Sequence, residues 1–329
     1  MASALKRSGG VMLGVAGSAV IGVLTLAGIP ARAQDAGQLA QSVSTFRSAV
    51  DAVVVATTVR DGRGRIVRNL TQADFQVIDS GFGRPIQQFF SGDAPISLAV
   101  LLDISGSMAV GGNIDRARDA VAVATRHLTD KADEAALFTF DTALQQVVGF
   151  TGDLSRVRRV SLEGTPWGKT SLFDAIASTA QAVAQRDNRH RAVLVITDGV
   201  DTASQKTVQT VTNIASTIDV PVYLLTVVHP LDHQGGDFSV VAADGRSEET
   251  ATLADLARLT GGTMRVTSES AHTVKELKDL FAELRHQYLI ILEPGPRPGW
   301  HPLEIRTLRK DLVVHARSGY TTVPAPSGS

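Results

Sequence analysis

Asp103, Ser105 and Ser107 stand within five residues of one another at the end of an apolar run, "LAVLLDISGSM" over 98–108. A carboxylate and two hydroxyls at alternate positions offer oxygen ligands alone, and a tight loop eased by Gly106 turns both hydroxyls inward. A second apolar run, "RAVLVITDG" over 191–199, ends in Asp198. If the two runs are neighbouring strands of an open parallel sheet, both carboxylates meet outside its carboxyl edge, where strand order reverses and ligands bind. Carboxylates and hydroxyls without imidazole or thiol suit Mg²⁺ or Mn²⁺, near-octahedral and keeping several waters.

The elements that must position these residues are legible in the periodicity. "SLAVLLD" is apolar throughout, as a strand buried on both faces requires. Ile114, Ala117, Val121, Ala124 and Leu128 then recur at helical spacing. "AALFTFD", "RAVLVITD", "PVYLLTVV" and "TMRV" read as further strands, with helical patterns at 171–185, 208–217 and 250–262 between them and at 273–287 after them. Strands and helices alternating at this rate predict a doubly wound, mostly parallel, Rossmann-like α/β sheet covered on both faces. Strand-like sequence returns on both sides, in "VVVATTV", "DFQVID" and "PIQQFF" before the core and in "YLIILEP", "PLEIRTL" and "LVVHARSGY" after it. The predicted architecture is an α/β domain over 95–287 inserted into a smaller antiparallel β-domain, whose halves at 34–94 and 288–320 come from the two flanks. Residues 321–329 read as a disordered tail.

Composition narrows the setting. The 329 residues are 43% hydrophobic and 20% charged, with a net charge of −1, which suits a folded core and gives no basic surface for nucleic acid. Lys6 and Arg7 precede an uncharged apolar stretch that ends at "ARA" over 31–33. That order is the pattern of a secretory signal with cleavage after Ala33, and so of a periplasmic or extracellular protein. The stretch approaches spanning length, so an uncleaved anchor is the competing reading; its glycines and the Ala31/Ala33 pair favour cleavage. Without residues 1–33 the chain keeps 29 basic against 33 acidic residues. There is no cysteine, so neither disulfides nor thiolate metal sites are available.

"DISGSM" resembles the D-x-S-x-S signature of the von Willebrand factor type A domain and its metal-ion-dependent adhesion site. "GKTSLFDAI" resembles that family's G-x-T-x-L-x-x-A segment, and "VLVITDG" its third metal segment, all in the family's order. The resemblance implies that Ser105, Ser107 and Thr170 hold the ion by their hydroxyls, while Asp103 and Asp198 act mainly through waters. It leaves one coordination position for an Asp or Glu carboxylate of a protein ligand, and it implies that the last helix, 273–287, moves on binding. The flanking segments "VRDGRGRIVRNLTQADFQVIDSG", "FAELRHQYLIILEP" and "VVHARSGY" resemble a narrower group of exported bacterial VWFA-related proteins. Ser80 departs from that group, which more often has an acidic residue there.

Other chemistries fail on spacing. "GTPWGKTS" puts only three residues between Gly164 and Gly168, with no buried strand ahead of it, so it is no phosphate-binding P-loop. Trp167 and Lys169 then read as rim residues, the tryptophan with a packing role at least as plausible as a partner contact. A phosphatase of the haloacid dehalogenase type needs a second carboxylate where Ser105 stands, and no G-x-S-x-G elbow marks a serine hydrolase. His229 and His233, with Asp232 and Asp237, form a weaker candidate for a second metal. "RVRR" over 156–159 reads as a solvated face, and Asp141 as a turn residue. Metal-dependent protein binding is the function this pattern predicts. A purely structural ion and a metal-dependent hydrolase are the alternatives.

Overall fold

Most of the runs named above take the element type that their periodicity predicts. The computed structural model describes residues 52–130, 132–199, 201–217, 219–230 and 253–322. Strands β1 (Val53–Arg60), β2 (Phe75–Asp79), β3 (Phe82–Arg84) and β4 (Gln88–Phe90) come first. The alternating part follows as β5 (Ile96–Asp103), α1 (Asn113–Arg126), β6 (Glu134–Phe140), β7 (Leu144–Thr151), α2 (Leu154–Arg158), α3 (Leu172–Ala184), β8 (His190–Thr197), α4 (Val208–Thr217), β9 (Val222–Val227), α5 (Leu253–Thr260), β10 (Met264–Thr267) and α6 (Ser270–Arg285). Strands β11 (Tyr288–Leu292), β12 (Gly299–Thr307), β13 (Val313–Ala316) and β14 (Gly319–Thr322) close the described chain.

The central sheet has the order β10-β9-β8-β5-β6-β7. All its pairings are parallel except that of β7, which runs antiparallel at one edge. Every residue of β5 is buried because helices cover both faces. Ile96, Leu98, Val100 and Leu102 pack into one apolar cluster with α1 and α6, while Ala99 and Leu101 pack into a second with α3, α4 and α5. This is the alternation of a strand read from its two faces. Truncating one of these leucines to alanine costs about 2–5 kcal/mol.

The flanks form two antiparallel sheets, β13-β1-β11-β4 and β14-β12-β2-β3, in which strands from the two ends of the chain pair directly. β1 pairs with β11 from Val53↔Leu292 to Thr57↔Tyr288, and β2 with β12 from Phe75↔Thr307 to Asp79↔Leu303. Val55, Val77, Ile290 and Ile305 are among the side chains of the third core cluster, which fills the space between these sheets. The fold is therefore a doubly wound α/β sheet with antiparallel β-structure built from both flanks. The two are tied together by ion pairs. Glu283 of α6 pairs with both Arg60 of β1 and Arg265 of β10, and the buried Arg317, between β13 and β14, pairs with Asp219 after α4.

Some local expectations fail. β3 is not among the predicted strands, yet Ser80 and Gly81 both take positive φ, 52° and 86°, and close a tight hairpin that pairs Phe82–Arg84 with β2. "LVVHARSGY" is two strands, not one, parted where Arg317 turns inward. α6 spans Ser270–Arg285 rather than 273–287. In "RVRR" the three arginines are exposed, as a solvated face requires, but Val157 is buried in α2, and Arg158 donates to the carbonyls of Thr125 and Leu128 as well as pairing with Asp130. The predicted signal over 1–33, the lead up to residue 51, Asp232, His233 and Asp237, and the end of the predicted tail from 323 on lie outside the described residues. Among the described residues no helix is long and apolar enough to cross a membrane.

Candidate functional site

β5 and β8 pair in parallel register up to Leu102↔Ile196. From β5 the chain runs outward through β6 to β7, and from β8 it runs the other way through β9 to β10. The order of the sheet thus reverses between these two strands, and Asp103 and Asp198 both emerge at that reversal. Convergence of the two carboxylates is a consequence of the winding.

Asp103 is fully buried. Its Oδ1 accepts the Ser105 amide at 2.8 Å, and its Oδ2 accepts the Thr197 hydroxyl at 2.6 Å. Thr197 Oγ1 in turn accepts the Gly199 amide at 3.0 Å, so its one proton is committed to Asp103. Burial pushes the Asp103 carboxyl up to about 6, against the hydrogen bonds from Thr197 and Ser105, and the charge of Asp198 adds to the rise. Ser105 is buried and Ser107 exposed, with their hydroxyls 3.2 Å apart. Asp198 Oδ1 is buried and has no hydrogen-bond partner, a costly state for a carboxylate oxygen.

Thr170 reaches the same place through the backbone. The Gly106 amide donates to the Gly168 carbonyl at 3.0 Å, and the Trp167 amide to the Ile104 carbonyl at 3.0 Å. These bonds fasten segment 167–170 to the 103–107 turn. Gly168 has a φ of 87°, and a side chain there would press on Thr142, so only glycine allows so close an approach. Thr170 itself is buried; its amide donates to the Thr202 hydroxyl, and its carbonyl accepts the amides of Thr202 and Ala203. The loop after β8 is stapled further, because Asp201 Oδ1 accepts the Leu172 amide at 2.8 Å and Ser204 Oγ the Phe173 amide at 2.9 Å. That loop caps α3 from outside the helix, since Ser171 makes no side-chain cap of its own.

The arrangement brings together the segments bearing all five predicted residues: Asp103, Ser105 and Ser107 on one turn, Thr170 on the second, Asp198 on the third. Asp141 behaves as the turn residue expected, its Oδ1 accepting the Ala143 amide at 2.9 Å, although its carbonyl also accepts the Ser171 amide. The packing role for Trp167 fails, for its side chain is 82% exposed. Lys169 is exposed beside it. Thr197 and Asp201 escape a reading by motif; an inward hydroxyl at the end of an apolar strand was the only sign of the first. His229 lies against Gly111.

A divalent cation suits this donor set. Two carboxylates lie close enough for the charge of one to raise the pKa of the other, one buried oxygen has no partner, and the remaining candidate ligands are neutral hydroxyls. Among the described residues no three His, Cys, Asp or Glu side chains gather as a metal group, so an ion here depends on those hydroxyls.

Among curated proteins none matches the chain. Solved structures that resemble it include an aerotolerance-related membrane protein from Bacteroides fragilis NCTC 9343, with 17% identity over 57% of this chain and 98% of that one, at a TM-score of 0.43. BatB from Bacteroides thetaiotaomicron has 17% identity over 57% and 98%, at 0.42. A von Willebrand factor type A protein from Catenulispora acidiphila has 12% identity over 84% and 74%, at 0.44. Residues 98–200 match the family model of the von Willebrand factor type A domain, so the chain is similar to that domain over the segment that carries Asp103, Ser105, Ser107, Thr170 and Asp198.

Proposed function

We propose that the chain is an exported protein-binding module that takes an Asp or Glu carboxylate of a protein partner at the β5–β8 reversal. In this reading Ser105, Ser107 and Thr170 hold Mg²⁺ or Mn²⁺ by their hydroxyls, and Asp103 and Asp198 hold it mainly through water. The observation that carries it is the buried, partnerless Asp198 Oδ1 beside the buried Asp103. When bound, a divalent ion held largely by neutral hydroxyls keeps excess positive charge and attracts an acidic group. The chain's own part is to fix the donors: Thr197 and the Ser105 amide orient Asp103, while Asp201 and Thr202 hold the loops around Thr170. The match to the type A domain supports a binding role. Lys6, Arg7, the apolar stretch and the "ARA" site support export.

A hydrolase would need a base free of the ion, and Asp103 is already engaged by Thr197 and Ser105. Titration calorimetry with Mg²⁺ and Mn²⁺ on residues 34–329 tests the proposal. Saturable binding is expected in the wild type and lost in Asp103→Ala and Ser105→Ala. The reading fails if the wild type binds neither ion, alone or with an acidic peptide present. An ion that raises the melting temperature without aiding capture of any acidic peptide would make it purely structural.

A further inference from the structure

Trp167 is 82% exposed on a backbone that is tied on both sides. Pro166 before it is buried, its own amide is bonded to Ile104, and Gly168 after it is bonded to Gly106. These bonds fix where the chain carries the indole relative to the Asp103–Ser107 turn. Tryptophan is one of the residue types enriched among those that dominate protein–protein binding.

It stands three residues before Thr170, within about 11 Å of it along the chain. Val110, at the far end of the turn that carries Ser107, is exposed as well. Lys169 has no ion-pair partner among the described residues, so charge here disfavours a cation stacked on the indole. What fits is an apolar or aromatic side chain.

Resting on the reading above, we infer that Trp167 sets the specificity of the site. The partner segment that presents a carboxylate to the Ser105–Ser107–Thr170 cluster lays an apolar or aromatic side chain on the indole. The two partner residues lie within about three positions of each other, the reach of an extended chain over that span.

Two capped peptides test this on the full chain with saturating Mg²⁺, one containing Phe-Gly-Asp and the other Gly-Gly-Asp. Calorimetry gives the affinities, and the emission of Trp167, read in a Trp300→Phe background, reports where each peptide sits. The phenylalanine peptide is expected to bind the wild type roughly three- to tenfold more tightly. That ratio should fall to about one in Trp167→Ala, recover in Trp167→Phe, and accompany a change in Trp167 emission. Equal affinities in the wild type, or a preference that survives Trp167→Ala, would overturn the inference and leave the acidic-ligand reading standing. If Mg²⁺ binds but neither peptide does, the acidic-ligand reading falls and takes the inference with it.

Discussion

Among the described residues two strands end in a buried aspartate, and the two carboxylates are treated in opposite ways. Asp79 ends β2 in the flanking sheets and accepts from the Tyr320 hydroxyl at 2.8 Å, the Ser80 hydroxyl at 2.9 Å and Arg84 at 3.2 Å, with His301 Nδ1 at 3.1 Å. Burial alone would raise its pKa, but the bonds from Tyr320, Ser80 and His301 outweigh burial and hold it below the ordinary carboxylate range. Asp103 ends β5 with fewer donors, a second carboxylate near it and a raised pKa. A carboxylate whose lone pairs are filled from within is part of the frame. One left short of donors, next to another with a buried and partnerless oxygen, is arranged for something that arrives from outside.

The same substitution at both positions would break the comparison if it is wrong. Asp79→Asn should cost about 3 kcal/mol or more in urea unfolding without divalent ions, because Tyr320, His301 and Arg84 lose a charged acceptor they cannot replace. Asp103→Asn should cost about 1 kcal/mol or less under those conditions, since lost hydrogen bonds are offset by relief of repulsion from Asp198. Equal costs would mean that the donor count does not separate frame from site.

Acid sharpens the contrast along β8, whose first residue, His190, is as buried as the other end is polar. Burial depresses the His190 pKa to about 4. Between that value and the ordinary histidine value, the unfolded chain takes up a proton that the folded chain refuses. Stability should therefore fall as pH drops from about 6.5 to 4, by up to about 3 kcal/mol, and His190→Gln should remove that share of the slope. Chemical denaturation at stepped pH reads it directly. An unchanged slope in the variant would place the acid sensitivity elsewhere.

Smaller effects follow at Asp198. Mg²⁺ at about a hundred times its dissociation constant should stabilise the wild type by roughly 2.7 kcal/mol, read as a rise in melting temperature. In Asp198→Asn that rise should vanish, while the ion-free protein gains about 0.5–1 kcal/mol from the lost charge. A Mg²⁺ response that survives Asp198→Asn would take that carboxylate out of the site.

The α/β part was legible because its strands must be apolar on both faces and its helices on one, which leaves strong periodic signals at 96–103, 190–197 and 208–217. The convergence of Asp103 and Asp198 was legible for a related reason: the two most apolar strands belong at the centre of a doubly wound sheet. What stayed hidden depends on contacts remote in the chain. β3 is three residues long with a glycine at its centre, and only pairing with β2 makes it a strand. Thr197 and Asp201 look ordinary until the chain brings Asp103 and α3 beside them. The place of Trp167 beside the Asp103–Ser107 turn depends on main-chain bonds of Trp167 to Ile104 and of Gly168 to Gly106, which no local pattern records.

The pairing of β1 with β11 also bears on the order of synthesis. Val53 waits for Leu292, 239 residues later in the chain. At ordinary ribosomal speed that is roughly ten to fifty seconds. For all that time β1 carries buried-type valines without a partner, while the sheet around β5 can already close. The nascent chain therefore holds a partly closed central sheet and an unpaired apolar strand at once. The interval before its last strands appear is when a holding chaperone would matter most.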